Sequence, residues 1–221
     1  MKWVWNEEWL ITGDKKGKIV LWDNKLSDLV SIDAHKNVVK DIDFSPSWCK
    51  FVSCSDDREV KIYDFSNQKE IFTFLGHRSD VKSAQWHKSQ SLIVSGGRDN
   101  EMKYWDPKTG KEEFTIKSHT NTINWLTWNR NGNWLLSGSK DNSIKLYDFR
   151  KIGDDNSGEI LTFKDNDNDI TALEWHPIHE ELFVSAGNNG TKSPHQTDTT
   201  FVLNGKLIYW LATGEMIQKI D

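Results

Sequence analysis

The chain has 221 residues, of which 36% are hydrophobic and 28% are charged, a composition typical of a globular protein. Its formal net charge of −5 excludes a protein that attracts nucleic acid through its overall charge, so any basic surface would have to be local. The chain has two cysteines, which favours reduced thiols over a disulfide scaffold, and it lacks the long apolar run of a membrane-spanning helix.

The predicted elements are short β-strands, and they begin in the first residues of the chain. Met1 is followed by KWVWNEEW, which lacks the apolar segment of a secretory signal, so we expect an intracellular, reducing environment. Residues 1–33 contain four apolar segments bounded by Asn, Gly, Asp or Lys, and each segment has the length of a strand. Those segments are Trp3–Trp5, Trp9–Thr12, Ile19–Trp22 and Leu29–Ile32.

The same plan of four strands recurs along the rest of the chain. Residues 34–75, 76–117 and 118–164 repeat it, and residues 165–221 form a more divergent fifth unit. In the fourth unit the polar, glycine-rich segment 153–158 predicts an exposed loop. In the fifth, the threonine-rich segment 191–204 predicts a second surface loop. We interpret residues 1–221 as a single domain built from these units.

Four residue types recur at fixed spacing in the three middle units. A histidine is followed by a serine 18 positions later, an aspartate 4 further on and an aromatic residue 6 beyond that. The sets are His35, Ser53, Asp57 and Tyr63; His77, Ser95, Asp99 and Trp105; and His119, Ser137, Asp141 and Tyr147. The histidines are 42 residues apart both times, and such a period indicates a repeat architecture.

These residue types suit a chain of buried hydrogen bonds. The aspartate would hold one ring nitrogen of the histidine, the serine hydroxyl would meet the other, and the aromatic residue would donate to the serine. A phenol differs in reach from an indole, so the last link is less secure at Tyr63 and Tyr147. Hydrolases use Asp, His and Ser as a triad, but a triad occurs once per active site and no G-x-S-x-G surrounds these serines. We therefore predict structural networks and no catalytic residue, metal or cofactor.

Paired residues at the ends of the third strands, together with Gly76-His77, identify the chain as similar to the WD-repeat family. The pairs are Trp22-Asp23, Tyr63-Asp64, Trp105-Asp106 and Tyr147-Asp148. The resemblance implies an all-β fold, a β-propeller with one four-stranded blade per repeat around a central channel. Five blades are readable, at about 1–33, 34–75, 76–117, 118–164 and 165–221. Because related propellers have seven blades, the chain could be a fragment of a seven-bladed one.

Several stretches resemble a narrower group, the WD-repeat subunits of nuclear pre-mRNA cleavage and polyadenylation factors. They include FVSCSDDREVKIYDF at 51–65, DVKSAQWH at 80–87 and WHPIHEELFVSAG at 175–187. This resemblance implies a non-enzymatic scaffold in the nucleus that helps recognise the polyadenylation signal. It also implies bridging to other subunits, among them a large multi-propeller scaffold and a zinc-finger RNA-binding subunit. The alternative is a general WD-repeat interaction scaffold, such as a ubiquitin ligase adaptor or a signalling protein.

In that group the RNA contacts lie chiefly in an N-terminal arm and a first blade that find no counterpart here. We therefore expect this chain alone to bind pre-mRNA weakly. The candidate basic surface consists of residues in turns near the histidine and aspartate positions: Lys15, Lys36, Arg78, Arg98 and Lys140. The alternative is that these side chains only solvate the surface. For Trp48, Trp125 and Trp134, packing between blades is favoured over stacking on RNA or anchoring a partner.

Overall fold

The structure is a computed structural model, and it describes residues 1–4, 8–153, 156–164, 169–188 and 205–220. The predicted loop at 191–204 lies outside the described residues, as do Asn166 and Asn189, the fifth-unit counterparts of the histidine and the aspartate. No helix occurs in the described ranges, so they contain none that is long and apolar enough to cross a membrane.

The described residues form five antiparallel sheets of four strands, each sheet built from strands that are consecutive in the chain. The first sheet contains β1 (Lys2–Trp3), β2 (Trp9–Gly13), β3 (Lys18–Asp23) and β4 (Asp28–Asp33). The second contains β5 (Val39–Phe44), β6 (Lys50–Ser55), β7 (Val60–Asp64) and β8 (Glu70–Phe74). The third contains β9 (Val81–Trp86), β10 (Ile93–Gly97), β11 (Glu101–Asp106) and β12 (Lys111–Lys117).

The last two sheets keep this order. The fourth contains β13 (Ile123–Trp128), β14 (Trp134–Ser139), β15 (Ile144–Gly153) and β16 (Asn156–Phe163). The fifth contains β17 (Ile170–Trp175), β18 (Leu182–Asn188), β19 (Gly205–Leu211) and β20 (Met216–Ile220). The sequence placed a loop at 153–158, but Ile152 pairs with Ser157 and Gly153 with Asn156, so the strands extend into it. Pairing within the hairpin satisfies backbone groups that a loop would leave to solvent.

Burial falls from the middle strands of a sheet to its last strand. In the third sheet every residue of β10 is buried, whereas β12 begins with three exposed residues. The inner strands are therefore covered on both faces, which explains why they read as nearly continuous apolar runs such as Ile93–Val94. The last strand faces solvent, and its buried and exposed residues alternate less regularly.

Apolar clusters join each sheet to the next. One cluster packs β6 and β7 against β9 through Val52, Ile62, Val81 and Ala84, and equivalent clusters occupy the three other junctions between consecutive sheets. The first strands meet around a shared cavity, lined by Lys2, Ile42, Gln85, Leu126 and Glu174, among others. These residues come from all five sheets, so the cavity is the central channel and the described sheets form a β-propeller.

Candidate functional site

The four repeated residues of the third sheet form a continuous hydrogen-bonded chain, which we call a tetrad. His77 Nδ1 lies 2.8 Å from Asp99 Oδ2, and His77 Nε2 lies 2.7 Å from Ser95 Oγ. The indole Nε1 of Trp105 donates to Ser95 Oγ at 2.8 Å. Because an indole N–H can only donate, Ser95 uses its own proton to donate to His77 Nε2. This assigns the ring proton of His77 to Nδ1, from which it is donated to Asp99.

The tetrads of the second and fourth sheets share the contacts of histidine, aspartate and serine. His35 Nδ1 lies 2.9 Å from Asp57 and its Nε2 lies 2.8 Å from Ser53. In the fourth sheet the distances from His119 to Asp141 and to Ser137 are 2.9 and 2.7 Å. Each aspartate also accepts the backbone N–H of the residue after the histidine, at 2.9 to 3.0 Å. The tetrad thereby ties the turn after the second strand to the segment before the first.

The aromatic link differs from sheet to sheet. Tyr63 donates its hydroxyl to the Ala34 carbonyl at 3.2 Å instead of to Ser53. The Tyr147 hydroxyl lies near the hydroxyls of Ser118 and Ser137, but it makes no hydrogen bond of ordinary geometry with any described residue. The indole is therefore the aromatic group that completes the chain to the serine.

Parts of the tetrad persist in the first and last sheets. Trp22 Nε1 donates to Thr12 Oγ1 at 2.8 Å, and Trp210 Nε1 donates to Ser185 Oγ at 3.0 Å. The indole-to-hydroxyl contact therefore survives in the first sheet, where the sequence has Lys16 in the aspartate position.

Burial and hydrogen bonding together set the protonation states of the tetrads. Burial lowers the pKa of His35, more than the neighbouring Asp57 raises it, which favours the neutral ring. Burial alone would raise the pKa of Asp57 and Asp99, but hydrogen bonds from backbone amides and from the histidine ring outweigh it. Both carboxyl pKa values are thus below their usual range, which matches a neutral histidine donating to a carboxylate.

The arrangement is unsuited to hydrolysis. The side chains of Ser53, Ser95 and Ser137 are all fully buried, so no substrate carbonyl could reach the hydroxyl oxygen. In the third sheet Ser95 Oγ also accepts a hydrogen bond from the Trp105 N–H and donates its own proton to His77. What the tetrads can do is hold the turns and loops at one end of each sheet in fixed positions.

A second repeated group, which the sequence reading missed, lies on the third and fourth strands of the same sheets. Lys103 Nζ lies 3.1 Å from Glu112 Oε2 and 2.8 Å from Thr115 Oγ1, which in turn donates to Glu112 at 2.5 Å. The counterparts are Lys61, Glu70 and Thr73 in the second sheet and Lys145, Glu159 and Thr162 in the fourth. The spacing of lysine to lysine is again 42 residues, so the same repeat contained the signal.

The nearest approach to a metal-ligand cluster within the described ranges is at the second-sheet tetrad. Possible ligand atoms of His35, Asp57 and Glu59 all lie within 4.8 Å of one another. His35 Nδ1 already contacts Asp57, and the Glu59 carboxylate lies 3.3 Å from Lys61 Nζ. These contacts account for the cluster as part of the tetrad and its neighbouring ion pair.

The five candidate basic residues are exposed and lie at the same end of their sheets. Lys15, Arg98 and Lys140 lie in turns between second and third strands, and Lys36 and Arg78 lie just before first strands. In an antiparallel sheet of consecutive strands those two kinds of connection leave from one end. Consecutive sheets also align there, since Val39 N donates to the Asp14 carbonyl at 3.0 Å across the first junction.

Acidic residues interrupt this basic end of the propeller. Asp56 stands where Arg98 and Lys140 have cations, and it pairs with Lys82 and Lys40 at 2.6 and 3.3 Å. The Arg98 guanidinium lies 3.9 Å from Asp80. The candidate surface is thus a set of cations separated by carboxylates, and a role in binding RNA stays a prediction.

The three tryptophans that were singled out have different environments. Trp48 packs on Phe44 with ring centroids 5.2 Å apart, and Trp134 stacks near Trp175 at 6.3 Å. The Trp134 contact joins the fourth and fifth sheets, whereas the Trp48 contact lies within the second sheet, at the edge of the cluster that packs it against the first. Trp125 instead lines the central channel with 36% of its surface exposed, which leaves it accessible to a partner.

Comparison with known families agrees with this geometry. The family model described as "WD domain, G-beta repeat" matches residues 27–64, 68–106 and 110–148, which together make up more than half of the chain. Each matched segment begins in or just before the fourth strand of one sheet and ends with the third strand of the next. The matches therefore contain the tetrads of the second, third and fourth sheets.

Similarity to individual proteins is local. The chain is 43% identical over 70 residues to "Polyadenylation factor subunit 2" of Candida albicans, which is 32% of this chain and 13% of that protein. It is 43% identical over 53 residues to the protein of the same name in Aspergillus fumigatus, covering 24% of this chain and 10% of that one. It is also 32% identical over 66 residues to "Protein HIR1" of Coccidioides immitis, covering 29% and 6%.

The chain therefore spans only a small part of the curated relatives it matches, and the similarity does not extend to their whole length. The family rests on the repeats, since each of the three matched segments contains the buried tetrad of one four-stranded sheet. On this evidence the chain belongs to the WD-repeat family.

Proposed function

We propose that this chain is a non-enzymatic scaffold subunit of the nuclear machinery that cleaves and polyadenylates pre-mRNA. In this role it bridges other subunits and contributes to recognition of the polyadenylation signal. The observation that carries the proposal is the local identity of 43% to proteins named polyadenylation factor subunit 2 from two fungi. The proposed partners are a large multi-propeller scaffold and a zinc-finger RNA-binding subunit.

Co-purification tests the assembly. A tagged copy of the chain, expressed in the cells it comes from, is expected to recover cleavage and polyadenylation subunits identified by mass spectrometry. A matched copy with His77→Ala and His119→Ala, which disturbs two tetrads, separates partners that need the folded propeller from those that bind the tag or unfolded chain. Recovery of the folded chain without any cleavage or polyadenylation subunit would contradict the proposal.

Binding to RNA is proposed as weak and electrostatic. The five exposed cations at one end of the sheets supply attraction to phosphates, and the net charge of −5 with Asp56 and Asp80 among them limits it. Titration with an AAUAAA oligonucleotide is expected to show weak affinity that falls with salt and falls further in Lys36→Glu/Arg78→Glu. Tight binding that discriminates AAUAAA from a scrambled sequence would contradict this part of the proposal.

A general WD-repeat interaction scaffold is the second candidate, as in ubiquitin ligase targeting or signalling. The observation in its favour is the match to "Protein HIR1", whose identity of 32% over 66 residues shows that related segments occur in a protein with a different name. The same co-purification discriminates the two, because a general scaffold would recover a different, reproducible set of partners.

A further inference from the structure

The repeats provide an internal comparison at the position two residues after each tetrad aspartate. That position holds Glu59 in the second sheet, Glu101 in the third and Ser143 in the fourth. The backbone is placed alike in all three, since each amide donates to the aspartate, at 3.0, 3.4 and 3.1 Å. The three sites therefore differ in the side chain, while their backbones make the same hydrogen bond to the aspartate.

In the second and third sheets this glutamate faces the repeated lysine. Glu59 Oε2 lies 3.3 Å from Lys61 Nζ, and Glu101 Oε2 lies 3.6 Å from Lys103 Nζ. Each lysine also pairs with a glutamate of the fourth strand, Glu70 or Glu112, both at 3.1 Å. Each ammonium group is therefore held between two carboxylates.

In the fourth sheet the second carboxylate is replaced. Ser143 turns its hydroxyl back to Asp141 Oδ1 at 2.5 Å, away from Lys145. Lys145 keeps its pairing with Glu159 at 2.8 Å, and its side chain is 20% exposed, compared with 15% for Lys61 and 8% for Lys103. A cavity of about 570 Å³ lies beside the lysine and is lined by Ser143.

The cavity also presents a cation that is unpaired within the described ranges. Ser118, which lines it, lies with its hydroxyl near that of Tyr147. Lys164 lines the cavity, is exposed, and forms no ion pair with a described residue. An exposed ammonium group without an ion pair is available to an anionic ligand.

We propose that this cavity binds a carboxylate side chain from an acidic segment of a partner protein. The carboxylate takes the place that Glu59 and Glu101 occupy in the other sheets, with Lys145 and Lys164 supplying the positive charge. Charge-assisted hydrogen bonds of this kind are the stronger class. A carboxylate fits better than a phosphate, because Asp141 and Glu159 also line the cavity and would repel a second negative charge. The site borders the proposed RNA surface, since Asp141 directly follows Lys140 and Thr120 occupies the position of Lys36 and Arg78.

The test uses the full chain and a fluorescein-labelled hexaglutamate peptide, followed by anisotropy, with hexaglutamine as the neutral probe. Hexaglutamate is expected to bind and hexaglutamine not to bind. Ser143→Glu places the missing carboxylate in cis, and the peptide is expected to bind roughly tenfold more weakly. Ser91→Glu, which adds the same charge at an exposed position on another turn, is the matched control and is expected to leave binding unchanged.

A second pair of variants avoids any change in the buried part of the site. Lys164→Ala is expected to weaken hexaglutamate binding, whereas Lys117→Ala, the counterpart in the third sheet where Glu101 fills the position, is expected to have no effect. Equal binding of both peptides, or equal effects of each variant and its control, would overturn the proposal. Hexauridylate binding that is tighter than hexaglutamate binding and lost in Ser143→Glu would overturn it as well, in favour of RNA.

Discussion

The aromatic residues of the tetrads are buried alike but hydrogen-bonded differently, and two phenylalanine variants separate the effects. Tyr63→Phe removes a hydrogen bond to the Ala34 carbonyl, so we expect a loss of about 0.5–1.5 kcal/mol in the free energy of unfolding. Tyr147→Phe removes a buried hydroxyl without a partner, so we expect no loss or a gain of up to about 1 kcal/mol. Urea unfolding of both variants measures the difference, and an equal loss in both would contradict it.

The histidine bridges two other members of the tetrad. His77→Ala takes partners from both Ser95 and Asp99, and we expect the free energy of unfolding to fall by roughly 1–3 kcal/mol. Arg78→Ala, at the exposed neighbouring residue, keeps its backbone N–H bond to Asp99 and serves as the control. A melting temperature that His77→Ala leaves at the wild-type value would refute the network.

Residue spacing predicted which groups of the tetrad would come together, because buried polar groups must find partners and few arrangements supply them. Spacing could not predict the hydrogen-bond partner of Tyr63. That partner depends on the position of the phenol oxygen to within a fraction of an ångström. The repeat position that holds Glu101 in the third sheet holds Ser143 in the fourth, and the sequence shows this difference. Only the structure shows that Lys145 and a cavity lie beside Ser143.

At the scale of the elements, a small residue near the end of each second strand allows the next sheet to approach. A Cβ on Gly138 would lie 2.5 Å from Ile170 and 2.9 Å from Leu173 of the next first strand, and Gly96 faces Ile123 in the same way. In the second sheet this position is Cys54, a free and fully buried cysteine, and it packs on the smaller pair Val81 and Ala84. A smaller residue on the second strand is thus matched by larger residues on the facing first strand, and a larger residue by smaller ones.

This compensation predicts coupled effects. Gly138→Ala is expected to cost about 1–3 kcal/mol through overpacking against the fifth sheet. Leu173→Ala alone is expected to cost about 2–5 kcal/mol, because it leaves a cavity in a buried cluster. The double variant partly recreates the arrangement of Cys54 with Ala84. Its loss in the free energy of unfolding is therefore expected to be smaller than the sum of the losses in the two single variants.

Denaturant unfolding of the four proteins in this cycle gives the coupling free energy directly. Gly97→Ala, at the next residue of a second strand, is a poor control since its Cβ would meet backbone atoms of Asp80 and Val81. Thr171→Ala is suitable, because Thr171 is exposed on the same first strand as Leu173. Strictly additive losses for Gly138→Ala and Leu173→Ala would contradict the compensation.

For the whole molecule, the repeat was sufficient to predict the fold. The 42-residue period and strand-length apolar runs predicted an all-β propeller with four-stranded blades, which is confirmed. The pairing of Ile152 with Ser157 and of Gly153 with Asn156 was missed, because a glycine-rich polar segment is typical of a loop as well as of paired strand ends. The channel-facing position of Trp125 was also missed, since its neighbours in the sequence do not show which face of β13 lines the axis.

Repetition of the tetrad makes the response of the molecule to pH a shared property of its three middle sheets. The pKa values of Asp57, Asp99 and Asp141 are below their usual value, since hydrogen bonds outweigh the burial that would raise them. A lowered pKa means that the unfolded chain binds more protons, so this stabilisation is present above about pH 4 and is lost as the pH falls further. Burial lowers the pKa of His35 as well, so its contribution begins to decline below about pH 6.5.

Two carboxyl groups that line the channel oppose this trend. Burial raises the pKa of Asp41 and Glu174, so they favour the folded state as the pH falls. They are outnumbered by the tetrad aspartates and by the glutamates paired with the repeated lysines, whose pKa values are also lowered against the effect of burial. We expect the free energy of unfolding, measured in urea between pH 8 and pH 3, to decrease below pH 6.5 and more steeply below pH 4. The free energy of unfolding of Asp99→Asn is expected to be lower at pH 8 and to decrease less below pH 4. A free energy of unfolding that rises on acidification would contradict the prediction and show that the channel carboxyls dominate.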